Sequence, residues 1–208
     1  ICENPEKLGE SAAKETAEIL RKCIAEKGSA RIALSTGASQ FDTIKALVKE
    51  DVDWSKVEMF HLDEYVDLPI THKASFRKYL QERFVDFVPT LKKAHFVDGT
   101  VEGIKKLTEE ITKAPIDVGL IGIGENTHIA FNDPPANFDT KESYIVVNLD
   151  EACRKQQMGE GWFKTFDEVP KQAVSMTVHQ IMQCKMIVSC VPYAVKADAV
   201  YKTLTAKE

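Results

Sequence analysis

The spacing of apolar residues changes period several times along the chain. Leu8, Ala12, Ile19, Leu20, Cys23 and Ile24 recur three and four apart, which predicts a helix over 5–27, and Gly28 stands where such a helix stops. Residues 31–34 are continuously apolar after Arg31 and read as a short strand. That strand runs into Ser35-Thr36-Gly37-Ala38-Ser39, followed by a helix to about residue 50. Residues 57–62 read as the next strand, ending on Asp63 and Glu64. Helices are predicted near 75–84 and over 101–114. Residues 117–123 form a strongly apolar strand broken by Gly122 and Gly124. Further strands are expected at 144–149 and 185–191, the latter followed by Pro192 and a helix through Tyr201.

Strands therefore alternate with helices, and most strands are apolar throughout rather than every second residue. That pattern predicts an α/β fold with a mostly parallel sheet covered on both faces. No internal repeat, low-complexity tract or linker interrupts it, so one domain over 1–208 is expected. In open parallel sheets, ligands bind outside the carboxyl ends of the strands. Here four strands exit into STGAS, HLDEY, IGIGENTHIAFNDP and VPYAVK. Core packing does not ask for polar residues at every exit, so these segments are expected to converge on one site.

Composition narrows the classes. A 44% hydrophobic and 28% charged chain folds as an ordinary globular protein. A net charge of −5 excludes a bulk basic field for nucleic acid. No apolar run approaches the roughly 18 residues of a membrane span, and residues 1–20 carry no signal-peptide core. The cysteines (Cys2, Cys23, Cys153, Cys184, Cys190) form no C-x-x-C pair, so neither a zinc site nor a disulfide framework is indicated. Reduced thiols in the cytoplasm are expected. A start at Ile1 and an end at Glu208 inside a helical pattern suggest a fragment of a longer protein.

Among candidate chemical groups, residues 35–39 read either as a phosphate cradle or as an ordinary turn with Ser39 capping the next helix. Asp63 and Glu64 read either as supplying a proton-transfer base to a cleft or as a solvated pair that starts a loop; strand alternation puts them on opposite faces, so at most one is catalytic. His128 has Asn126 two residues before it and Asp133 five after it, in a glycine-punctuated loop. That setting suits an imidazole acting as acid and base, against a structural histidine bonded within its loop. His61 either helps the site or packs. His72, His95 and His179 read as loop or helix-start residues. Lys196 and Arg154 read as solvated unless the fold brings them to a ligand.

With FHLDEYVDLPITHKASFRKYL and IGIGENTHIAFNDPP, supported by STGAS and VPYAVKADA, the chain resembles the glucosamine-6-phosphate deaminase/isomerase family, a relative of the 6-phosphogluconolactonases. The resemblance covers about residue 8 onward and implies a Rossmann-like three-layer α/β/α fold. It also implies a hydrolase that converts glucosamine 6-phosphate and water to fructose 6-phosphate and ammonia. By position, Asp63 would move the C2 proton, and His128 would take and return the ring-opening proton with help from Asp133. Thr36, Gly37, Ala38, Ser39 and Lys196 would hold the phosphate. No metal or organic cofactor is implied. The only partner implied is a small sugar phosphate, with self-association into a homo-oligomer possible in such a family. Departures are Asn126 for the family's aspartate, Thr127 for its glycine and Asp133 for its glutamate. Residues 136–143 lack the allosteric serine- and arginine-rich stretch, and 153–163 lack a second phosphate arginine. A lactonase or isomerase on the same scaffold, and a non-catalytic sugar-phosphate sensor, are the alternatives.

Overall fold

The computed structural model describes residues 1–159 and 161–206, with the side chains of all but Ala152 and Gln156. The predicted helical pattern up to Glu208 therefore runs partly outside the described residues.

The first helix, α1 (Pro5–Lys27), starts where Asn4 accepts the Lys7 N–H and ends at Gly28, whose φ of 77° a side chain would resist. It packs tightly on α2 (Phe41–Leu47). A Cβ on Gly9 would fall 2.7 Å from the Asp42 backbone carbon, so only glycine allows that approach. Five parallel strands, β1 (Ala30–Leu34), β2 (Val57–His61), β4 (Lys93–His95), β5 (Val118–Leu120) and β8 (Met186–Val188), form the central sheet. Their order is β4-β2-β1-β5-β8. Ile32, Leu34, Val57 and Met59 face one core with α1, α2 and α3 (Phe76–Arg83). Ala33 and Phe60 face a second core with α4 (Val101–Ile111). Both faces are covered, which is why these strands read as apolar runs.

The remaining strands depart from the expected single sheet. A second, antiparallel sheet runs β3-β7-β6, from β3 (Asp63–Tyr65), β7 (Gln172–Met176) and β6 (Tyr144–Asn148). The strand expected at 144–149 is thus antiparallel, and β3, β4 and β7 were not anticipated as separate strands. Leu62 alone separates β2 from β3. At that residue the chain leaves the parallel sheet, and Met176 N–H bonds back to the Leu62 carbonyl at 2.7 Å. Asp63 therefore stands at the junction of two sheets. A third apolar cluster under α5 (Glu151–Gly159) joins Tyr65, Phe131, Cys153 and Phe163. Short α6 (Val178–Ile181) and α7 (Ala197–Thr205) complete the chain.

Several boundaries are tighter than the sequence pattern suggests. The apolar runs 117–123 and 185–191 pair only over three residues each. Their glycine-, serine- and proline-containing ends leave the sheet as loops. His95 lies on β4, not in a loop, stacked on Phe60 with ring centroids 4.2 Å apart.

Candidate active site

The carboxyl ends of β1, β5 and β8 and the start of β3 meet at one cavity of about 290 Å³. Residues 35–39, Asp63, 122–125, His128, Tyr193 and Lys196 line it. All four expected segments thus contribute. The loops are stitched to one another. Ser35 Oγ accepts the Gly122 N–H at 3.1 Å. Gln40 Nε2 donates to Ser39 Oγ at 3.2 Å and to the Cys190 carbonyl at 3.1 Å. The Tyr79 hydroxyl donates to the Gly37 carbonyl at 3.1 Å.

At the β1 exit, Gly37 has φ 97°, and residues 38–40 form a 3₁₀ turn before α2. Opening N–H groups of such a turn have no intrahelical partner. Ser39 is not a helix cap, because neither the turn nor α2 has a side-chain cap. Thr36, Ser39 and Lys196 line the same cavity.

Asp63 is 6% exposed and accepts no hydrogen bond from the described residues. Burial pushes its carboxyl up to about 8, with a further push from the neighbouring Glu64 charge. Glu64 is fully buried on the opposite face and serves structure. Its Oε2 accepts from Ser75 Oγ at 2.7 Å and from Arg77 N–H at 2.9 Å, anchoring the start of α3. A negative charge at a helix N-terminus is favourable there.

His128 is held from behind. Its ring Nδ1 lies 3.0 Å from Asp133 Oδ1 and also meets Asn126 Oδ1. Asn126 Nδ2 donates to Asp133 Oδ1 at 3.0 Å, and Asn126 Oδ1 accepts the His128 N–H at 3.2 Å. Neither Asn126 nor Asp133 lines the cavity; both act on the imidazole. Burial raises the Asp133 carboxyl, but hydrogen bonds from His128 and Asn126 outweigh it and hold it at about 2. With Nδ1 occupied, Nε2 is the nitrogen left for a ligand. Gly124 leaves room for the ring, since a Cβ there would overlap it. Thr127 and Ala130 take φ of 72° and 49°, and this loop is clamped to β7 by Asn132 Nδ2, which donates to the Met176 carbonyl at 2.9 Å. A β-branched residue with positive φ is strained.

Other candidates fall away. His61 is fully buried with both ring nitrogens unpartnered among the described residues, and burial lowers its pKa to about 3, so it packs as a neutral ring. Arg154 donates to the Phe166 and Val169 carbonyls and stacks over the Phe166 ring at 4.0 Å, away from the cavity. His72 accepts from Ala74 N–H at 3.1 Å, and His179 lies in α6. Gln157, Trp162, Phe76 and Phe131 line the cavity without having been singled out in the sequence. No group of three or more His, Cys, Asp or Glu side chains among the described residues is placed to hold a metal. A larger cavity of about 580 Å³ between the chain start and α7 contains none of the candidate residues.

Comparison with known proteins gives one answer. The family model for glucosamine-6-phosphate isomerases/6-phosphogluconolactonase matches residues 3–208. A glucosamine-6-phosphate deaminase of Clostridium botulinum is 32% identical over 217 residues, covering 100% of this chain and 84% of that protein. One from Staphylococcus epidermidis is 35% identical over 196 residues, covering 89% and 79%. A solved monomeric glucosamine-6-phosphate deaminase superposes with a TM-score of 0.85 at 26% identity, covering 100% of this chain and 87% of its own. A 6-phosphogluconolactonase from Shewanella baltica has a TM-score of 0.80 at 18% identity, covering 99% and 85%, and shares the fold.

Proposed function

The chain belongs to the glucosamine-6-phosphate isomerase/6-phosphogluconolactonase family, and from that premise we propose that it deaminates glucosamine 6-phosphate to fructose 6-phosphate. The observation that carries the reading is that Asp63 and His128 line one small cavity with residues 35–39 and Lys196. A volume of about 290 Å³ suits a monosaccharide phosphate and is too small for a dinucleotide.

In this reading the phosphate sits on residues 36–39 and Lys196, where turn N–H groups, hydroxyls and one ammonium converge. His128 Nε2 takes the C1 hydroxyl proton and returns it to the ring oxygen, opening the pyranose. Asp63 removes the C2 proton as O1 gains one, leaving an enolamine, and then delivers its proton to C1 as the amino nitrogen gives one up, which balances the proton gained by O1. The resulting C2 imine adds water and expels ammonia. Water is consumed overall, so the deamination is hydrolytic. A carboxyl at about 8 is a far stronger base than an ordinary aspartate and titrates close to physiological pH. A phosphate sensor needs neither Asp63 nor His128, which disfavours the non-catalytic alternative. No helix among the described residues is long and apolar enough to cross a membrane. Five free cysteines fit a reducing, cytoplasmic setting.

The direct test follows ammonia and fructose 6-phosphate from glucosamine 6-phosphate, with 6-phosphogluconolactone as the competing substrate. Turnover of the lactone alone would refute the deaminase reading. Turnover of neither, with sugar-phosphate binding intact, would support the sensor.

A further inference from the structure

Helix α5 brings a polar side chain to the cavity that none of the proposed chemistry uses. Gln157 is 8% exposed and lines the cavity, and its Oε1 accepts the Tyr65 hydroxyl at 2.7 Å. A terminal amide offers one oxygen acceptor and two N–H donors. Tyr65 holds the oxygen, so the Nε2 donors are what remains, and Nε2 donates to none of the described residues. Phe76, Phe131 and Trp162 line the same cavity. Nε2 is not among the buried unpartnered atoms, so it is open to the cavity rather than sealed in the core.

The clamp also fixes where the amide stands. Asp63 and Tyr65 are two apart on β3, so they share a face and lie about 7 Å apart along the strand. The Tyr65 ring is fully buried between Phe76, Phe131 and Phe163, at centroid distances of 5.3, 5.2 and 5.6 Å. Strand, tyrosine and glutamine thus make one rigid arm whose origin is the strand that carries Asp63. The cationic and turn donors at residues 36–39 and Lys196 suit a phosphate. Gln157 is the neutral donor left for uncharged oxygen.

We propose that Gln157 is a substrate-binding residue: its carboxamide, clamped by Tyr65, donates to a hydroxyl oxygen of the sugar and orients the carbon skeleton against Asp63. This rests on the sugar-phosphate reading of the cavity. The competing explanation is that Gln157 serves only to satisfy the Tyr65 hydroxyl.

The two are separated by the double substitution Gln157→Met with Tyr65→Phe in the full chain. It replaces both polar partners with apolar groups of similar shape, which is close to neutral for stability. The expected result is a KM for glucosamine 6-phosphate raised about tenfold or more, with the inhibition constant of inorganic phosphate within twofold of the parent. The single Tyr65→Phe keeps the donor but frees it, so its KM should rise less. Parent-like KM in the double variant would overturn the inference alone, because parent turnover would still stand. If the parent protein does not turn over glucosamine 6-phosphate, the functional reading fails, and this inference falls with it.

Discussion

The parallel sheet buries an aspartate at each end, and the fold treats the two oppositely. Asp117 precedes β5 at the amino-terminal edge, with its side chain fully buried. It accepts from Lys27 Nζ at 2.6 Å, Lys185 Nζ at 3.1 Å and the Arg31 N–H at 2.9 Å. Burial raises its carboxyl, but these donors outweigh burial and hold it below the ordinary aspartate range. Asp63, beyond the carboxyl-terminal edge, is also buried, lacks such donors among the described residues and is driven up to about 8. Desolvation pushes both the same way, and the donor set decides the sign. One end is arranged for stability. The other keeps a buried carboxyl unsatisfied, next to loops where Thr127, Ala130 and Tyr193 hold positive φ. That concentration of cost at one edge is what a reactive site requires.

The largest effect expected from this contrast is at Asp63. Asp63→Asn should lower kcat by about 10²–10⁴ in steady-state assays. The same change should raise stability at pH 8. A carboxyl whose folded pKa lies above its unfolded pKa binds an extra proton in the folded state, so it destabilises increasingly as pH rises from about 4 to about 8. Removing it should add at least about 1 kcal/mol at pH 8, or ~2–4 °C in Tm for a chain of this size. The gain should vanish near pH 4. Unchanged turnover with a lower Tm would erase the distinction between the two ends.

Asp117→Asn should do the reverse, leaving kcat intact and costing about 1–3 kcal/mol. That is less than for a fully buried pair, because Lys27 and Lys185 are 37% and 53% exposed and can turn to water. Here the folded pKa lies below the unfolded one. The carboxylate's contribution is therefore present above pH 4 and is lost on acidification through the folded pKa. Thermal melts of parent and variant should converge at low pH. A variant as stable as the parent at pH 7 would show that the Lys27–Asp117–Lys185 cluster is ornamental.

How much of this was legible in the sequence depends on what each residue's identity reports. Strands β1 and β2 are buried on both faces, and an apolar run reports that directly. Strand β4 (KAH) and strand β3 (DEY) are three residues each, and neighbouring strands impose their pairing. The bend at Leu62 leaves no trace in composition. Asp63, His128, residues 35–39 and Lys196 were readable as polar residues at the ends of apolar strands. Gln157 was not, because a glutamine in a helix looks like a solvated face until α5 is docked on Tyr65. Ser175 was equally hidden, although its hydroxyl accepts the Phe131 N–H at 3.0 Å and so helps shape the His128 loop. Arg154 shows the converse, an arginine that looked available for phosphate and is consumed by two carbonyls.

The smallest expected effect concerns a third carboxylate, intermediate between the two. Asp133 is half-buried like a site residue but partnered like Asp117, at about 2. Sequence reasoning alone favours a gain in turnover from Asn126→Asp, since a second carboxylate would support an imidazolium at His128. The geometry adds an opposing consequence. Asn126 Nδ2 donates to Asp133 Oδ1 at 3.0 Å, and an aspartate would replace that donor with a like charge. Two carboxylates sharing one site push one pKa up. Asp133 would move toward the behaviour of Asp63 and be a weaker partner for His128. The two effects oppose each other in turnover, so kcat should change less than about tenfold, the span of one unit of pKa. Steady-state assay of parent and variant measures it. A loss well beyond tenfold would mean that the bond from Asn126 to Asp133, and not a second carboxylate, is what His128 needs.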